Sequence, residues 1–267
     1  MIIRTAGTNC DRELAHGFEQ AGAAVETVHL NQLIGRPEMI DQAQIIGLPG
    51  GFSYGDDIAA GRIFANRLRH RLFEPLQAAV KRGVPMIGIC NGFQVLVKLG
   101  LLPDGTGRQT ATLTDNTSGR FVDRWVKLQV CDRTVCIWTR GLQELELPVA
   151  HGEGKFLCHD DRILQRLRDH GQVVLRYAPD DNPNGSVDNI AGVCDPTGVV
   201  IGLMPHPERC VHLTHQPAWT RRRQTADRMP AGLRMLEAAV AHVSHPVGHE
   251  ENQNRTSKQS TTDATHR

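Results

Sequence analysis

The sequence predicts an α/β fold, with a mostly parallel central sheet flanked by helices and a smaller β-rich portion. Three observations lead there. The first 100 residues alternate short apolar runs with amphipathic stretches that end on glycine. From Phe121 onward the apolar runs shorten and are separated by turn residues. No internal repeat interrupts either pattern. Strands alternating with helices close through right-handed crossovers onto a parallel sheet covered on both faces.

The elements follow in order. Asp11 to Gln20 reads as a helix stopped at Gly22, and Val25 to Leu30 as a short strand. Ile45 to Leu48 is a compact apolar strand that breaks at Pro49, Gly50 and Gly51. Arg62 to Arg82 reads as one helix, with Gly83 as its C-terminal cap. Val84 to Ile89 is a buried strand, and Phe93 to Leu99 a helix ended by Gly100 with Pro103 beyond. The later strands are Phe121–Val130, Thr134–Ile137, Val173–Tyr177, Ile190–Cys194 and Val199–Met204. Asp195-Pro196-Thr197-Gly198 makes a hairpin turn between the last two. A final helix over Ala231–Val243 starts after Pro230. One domain is expected over residues 1–243, and residues 244–267 are expected to be a disordered polar tail.

Composition narrows the function classes. A formal net charge of +1 over 267 residues gives no global field toward nucleic acid or a membrane surface. No apolar run reaches the roughly 18 residues of a membrane span, and no signal peptide is visible, so the cytoplasm is expected. The seven cysteines are an odd number with no CxxC pair, which argues against disulfide staples and against a metal site.

Three short segments carry chemistry. Gly88-Ile89-Cys90-Asn91-Gly92 lies where a strand turns sharply into a helix. That turn lifts a nucleophile above the sheet edge, glycine on either side leaves it room, and the helix N-terminus favours a thiolate. Pro49-Gly50-Gly51 ends another strand, where backbone amides approach a ligand closely and suit an oxyanion hole. Met204-Pro205-His206-Pro207-Glu208-Arg209 follows a third strand. In an extended segment His206 and Glu208 share a face, so the carboxylate orients the imidazole toward the thiol. Each segment alone has a plain reading: a buried cysteine, a turn, a structural histidine. Their place on matching strand ends favours the catalytic one.

These residues resemble triad-type (class I) glutamine amidotransferases, which have flavodoxin-like sheets. Gly88 to Gln94 fits their G-x-C-x-G-x-Q elbow. Six further segments, in order, are similar to signatures of the glutaminase components of phosphoribosylformylglycinamidine synthases. They are Gly7–Glu13, Pro49–Asp56, Asn116–Phe121, Val149–Gly154, Asn182–Ser186 and Gly202–Arg209. The resemblance implies that Cys90 attacks the glutamine amide, His206 moves the proton and Glu208 holds the ring. It further implies that the Gly51 and Asn91 amides bind the oxyanion, and that Gln94, Ser118, Gly119, Arg120 and Phe121 bind glutamine. Ammonia would pass to the synthetase subunit, which uses ATP and magnesium to convert formylglycinamide ribonucleotide to the amidine. Whether a small third subunit bridges the two is open. No cofactor is expected on this chain, since it carries no ATP-binding loop.

Three further expectations attach to the resemblance. Gly55 to Arg62 is placed at the ammonia passage, and Arg67, Arg69, Arg71 and Arg221 to Arg223 face an acidic partner. Only Met1 to Thr5 precede Ala6, so the first strand is short and the true start is open. Cys10 has no base at an identifiable position and is read as structural. The rivals are another amidotransferase or hydrolase with the same elbow, and an inactive scaffold of the same fold.

Overall fold

The computed structural model describes residues 1–56, 58–221 and 229–245. Most of the expected tail, from 246, lies outside these, as do Arg222 and Arg223. The chain opens with β1 (Ile2–Arg4), α1 (Asp11–Gln20), β2 (Thr27–His29), α2 (Leu30–Gly35) and β3 (Ile46–Leu48). Then come α3 (Arg62–Arg71), α4 (Phe73–Lys81), β4 (Met86–Ile89), α5 (Asn91–Leu99), β5 (Ala111–Thr114) and β6 (Val122–Val130). The rest is β7 (Glu144–His151), β8 (Lys155–Cys158), α6 (Asp161–Asp169), β9 (Val173–Tyr177), β10 (Ile190–Cys194), β11 (Val200–Leu203) and α7 (Ala231–Ser244).

Nine strands form one sheet in the order β2-β1-β3-β4-β11-β10-β9-β6-β7. From β2 to β11 every neighbour is parallel, and from β11 to β7 every neighbour is antiparallel. The β-rich portion is thus mainly a continuation of the central sheet. The Asp195–Gly198 turn makes this possible, because a tight hairpin sets β11 antiparallel beside β10 without a crossover helix. The Asp195 carboxylate accepts from the Thr197 and Val200 amides at 3.1 and 2.8 Å and closes the turn. Among the described residues only β5 and β8 stand apart, as a two-stranded pair.

Burial explains the strand composition. Ile46, Leu48, Met86, Ile87 and Ile89 are fully enclosed, because strands in the sheet centre are covered on both faces. Helix α5 lies over β3, β4 and β11, and α1 packs on α7. Strand β1 is only three residues long, yet it is paired on both sides, with β2 and with β3.

Several expectations need correction. The helix expected from Arg62 to Arg82 is two helices broken at Leu72, whose φ is −122°. Pro75 is the cause: it has no N–H for the Arg71 carbonyl, and its ring collides with that group in a continuous helix. The strand expected over Thr134–Ile137 does not form. There the Val135 amide donates to Gly171 and the Ile137 amide to Gly198, both loop carbonyls, and Ile137–Thr139 makes a single 3-10 turn. Arg67 and Arg69 are committed within the chain. Arg67 donates to the Tyr54 hydroxyl at 2.6 Å, and Arg69 to the Lys98 and Leu99 carbonyls at the end of α5. Arg71 and Arg221 are exposed.

Candidate catalytic site

The elbow forms because only glycine fits around it. Cys90 adopts φ 50°, ψ −105°, a strained conformation between the end of β4 and the start of α5. A Cβ on Gly88 would lie 2.6 Å from the Gly92 carbonyl oxygen, and one on Gly92 would lie 2.0 Å from that of Leu48. Gly92→Ala therefore forces β3 and α5 apart and is expected to cost about 3 kcal/mol or more. Urea unfolding checks this, and a midpoint equal to wild type would refute it.

His206 reaches the same sheet end because β11 runs parallel to β4, with Leu203 beside Ile89. Its amide donates to the Pro148 carbonyl at 2.8 Å, tying the segment to β7. The ring Nδ1 lies 2.6 Å from Glu208 Oε1. The local geometry differs from the extended run expected. His206 is extended, but Pro207–Arg209 form a 3-10 turn, and this turn brings the carboxylate back under the ring. Both side chains are enclosed, at 2% and 0% exposure, so the pair acts without competing water. Burial alone pushes the His206 pKa down. The Glu208 carboxylate, helped by the Cys10 and Cys90 thiols, lifts it well above the usual imidazole range. The carboxylate thus favours the charged form of the ring. Its Nε2 is buried without a hydrogen-bond partner, as in many resting catalytic sites that tighten only around substrate. The Cys90 thiol meanwhile makes a long contact, 3.8 Å, to the Ala150 carbonyl.

The proposed oxyanion donors flank this point. Gly51 has φ 137°, and a Cβ there would lie 2.7 Å from the Asn9 amide and from the Gly7 carbonyl. The Thr8–Gly51 bridge is bonded through Asn9 to Gly50 and Phe52 to Gly7, so the Gly51 N–H points out of that ladder. The Asn91 N–H belongs to the first turn of α5, where amides lack helical carbonyl partners. The Asn91 side chain is internal: it accepts from the Ser53 amide at 3.3 Å and donates to Gln94 Oε1 at 3.0 Å. Gln94 is likewise enclosed, and its amide donates to the Glu153 carbonyl at 2.6 Å. In this conformation Gln94 holds the Glu153 loop. Ser118, Gly119, Arg120 and Phe121 form an exposed rim, with the Phe121 ring 6.5 Å from Phe52. They are exposed, whereas Cys90 is buried.

One layer was missed as functional. His151 ends β7 and is buried, with its Nδ1 3.1 Å from Asn116 Oδ1. Asn184 lies 3.5 Å from its Nε2 and also bonds the Tyr177 hydroxyl. Asn116 in turn bonds the Arg120 carbonyl, so this layer fixes the rim. Its members fall within the Asn116–Phe121, Val149–Gly154 and Asn182–Ser186 segments, except Tyr177, which no motif marks.

Burial, with the His206 cation nearby, drives the His151 pKa down to about 4. Unfolded histidine protonates near 6.5, so between about pH 6.5 and pH 4 the unfolded chain binds the extra proton. Stability therefore falls by roughly 3 kcal/mol as pH drops across that window. His206 has the opposite sign, losing its contribution as pH rises through its own elevated pKa. Melting temperatures at pH 7 and 5 should show the His151 drop, reduced in His151→Gln. Equal slopes in the two proteins would contradict it.

Comparison with known proteins agrees with this geometry. The family model described as a CobB/CobQ-like glutamine amidotransferase domain matches residues 1–243. The chain belongs to this glutamine amidotransferase family. The phosphoribosylformylglycinamidine synthase subunit PurQ of Methanococcus maripaludis is 39% identical over 85% of this chain and 88% of its own length. That of Dehalococcoides mccartyi is 44% identical, over 82% of this chain and 88% of its own. The solved structure of PurLQS from Thermotoga maritima aligns at 32% identity and a TM-score of 0.71, covering 91% of this chain and 97% of that one. Within the family, the enclosed Cys90–His206–Glu208 set is the feature that can do chemistry.

Proposed function

We propose that this chain is the glutaminase component of a phosphoribosylformylglycinamidine synthase. The observation that carries the reading is the meeting of an elbow cysteine with a buried imidazole–carboxylate pair, in a chain whose relatives are PurQ subunits. Cys90 sulfur attacks the side-chain amide carbon of glutamine, and the oxyanion meets the Gly51 and Asn91 amides. His206 passes a proton to the departing nitrogen, which leaves as ammonia. Water then opens the γ-glutamyl thioester, releasing glutamate and restoring the thiol. Glutamine and water are thus balanced by glutamate and ammonia.

Free ammonia in water is protonated near neutral pH and loses its nucleophilicity, so the product must pass directly to the partner. The synthetase subunit, with ATP and magnesium on its side, takes the ammonia into formylglycinamide ribonucleotide. Within the stretch expected at the ammonia passage, Asp56 is bonded to Asn91 and to the Gly61 amide, which sets it beside the elbow. Among the described residues no helix is long and apolar enough to cross a membrane, and a cytoplasmic site of action fits this. Glutamate release from glutamine, measured with and without the synthetase, tests the reading. An absence of release in both conditions would overturn it.

A further inference from the structure

A second thiol stands against the same imidazole. Cys10 immediately precedes α1 and is 1% exposed. Its sulfur, a ring nitrogen of His206 and a carboxylate oxygen of Glu208 lie within 4.8 Å of one another. The thiol donates to Asn9 Oδ1 at 3.1 Å, and Arg209 Nη2 donates to the sulfur at 3.1 Å. Gly50 lets these groups meet. A Cβ there would lie 2.9 Å from His206 Cε1, 3.2 Å from the Cys10 sulfur and 3.5 Å from Cys90 Cβ. The ring thus has a cysteine from each of two different elements beside it, one the nucleophile and one unused by the reaction above.

We propose that Cys10 is a positioning residue for His206, its sulfur bracing the His206–Glu208 pair and linking it to the Arg209 guanidinium. This rests on the glutaminase reading. The physical need is to keep two cations compatible. Glu208 favours a charged His206 ring, and Arg209 follows three residues later on the same short turn. Glu208 holds the ring at Nδ1, while Arg209 donates to the Cys10 sulfur and pairs electrostatically with the Glu13 carboxylate 3.7 Å away. A polarisable sulfur accepts the guanidinium hydrogen and fills the space against the ring. Without it, the guanidinium loses an acceptor beside an imidazolium, and the ring loses a wall.

The groups that act on the imidazole are Glu208 on its own turn, Cys90 from the elbow, Cys10 before α1 and His151 at the end of β7. Arg209 lies behind these, acting on both Cys10 and Glu208, with Glu13 beyond it. Cys10 favours the charged ring, so its removal makes His206 easier to deprotonate. The active form keeps that proton for the leaving nitrogen, so the alkaline limb of the rate profile moves to lower pH.

The test uses Cys10→Ala and Cys10→Ser in the complex with the synthetase, with glutamate release followed against pH. Nitrogen NMR titration of the His206 ring in the isolated chain is a readout that needs no turnover. Cys10→Ala should lower kcat/KM roughly tenfold and move the alkaline limb and the ring titration together by on the order of one pH unit. Cys10→Ser keeps a smaller acceptor for Arg209 and should lie between. A folded variant whose limb and ring titration both match wild type overturns the proposal, even if its rate falls. Should Cys10→Ala fail to fold, Cys10→Ser decides by the same two measurements. Wild-type complex that releases no glutamate would instead sink the glutaminase reading, while the ring titration would still report on Cys10.

Discussion

Cys90→Ala is expected to abolish glutamine-dependent synthesis by the complex while leaving synthesis from added ammonia intact. The sulfur is the only atom that forms a bond to the amide carbon, so no neighbour substitutes for it. Removing a nucleophile of this kind costs on the order of a million-fold in turnover where it has been measured. The substitution removes one atom from a residue that is 6% exposed, and alanine keeps the Cβ of the elbow, so the surface toward the partner is untouched. Ammonia supplied from outside bypasses the missing step. Equal loss of both activities would show that the chain does more for the complex than release ammonia.

The second large effect separates the two residues that serve the sulfur. His206→Ala removes the proton carrier and should reduce glutamate release by on the order of a thousand-fold or more. Glu208→Gln keeps a hydrogen-bond acceptor 2.6 Å from Nδ1 and removes only the charge, so it should cost clearly less. The pair is buried, however, so the lost carboxylate also withdraws the main support for a cationic ring. The Glu208→Gln defect should therefore deepen as pH rises. Equal rates for the two variants across the pH range would contradict this division of labour.

The parts of the site that were legible in the sequence are those whose chemistry is local. Gly88 and Gly92 announce the elbow because sterics at that turn admit nothing larger, and His-Pro-Glu announces the dyad because two prolines stiffen the segment. The α1 bounds, Asp11–Gln20, and the β9 and β10 bounds coincide with expectation for the same reason, since periodicity and flanking turns agree there. What escaped depends on distant partners. Strand β7 carries charged residues on one face and looks polar, but Leu145, Leu147 and Val149 are buried and pair with β6. Helix α6 is marked by the Ile163, Leu164 and Leu167 spacing and by Asp160, whose carboxylate accepts from the Ile163 amide at 2.9 Å, yet its shortness among charged residues hides it. Pro75 breaks the long helix even though the Arg- and Leu-rich pattern runs on either side of it. The position of Cys10 beside His206 follows from the fold of Gly50 between them and has no signature in spacing.

The near-total enclosure of the sulfur and the imidazole has an economic side for the cell. A catalyst whose reacting atoms stand open to the medium would consume glutamine whether or not an acceptor waited. Here the reacting atoms are covered, with Cys90 6% and His206 2% exposed, so neighbouring side chains or loops must shift before an amide can reach the sulfur.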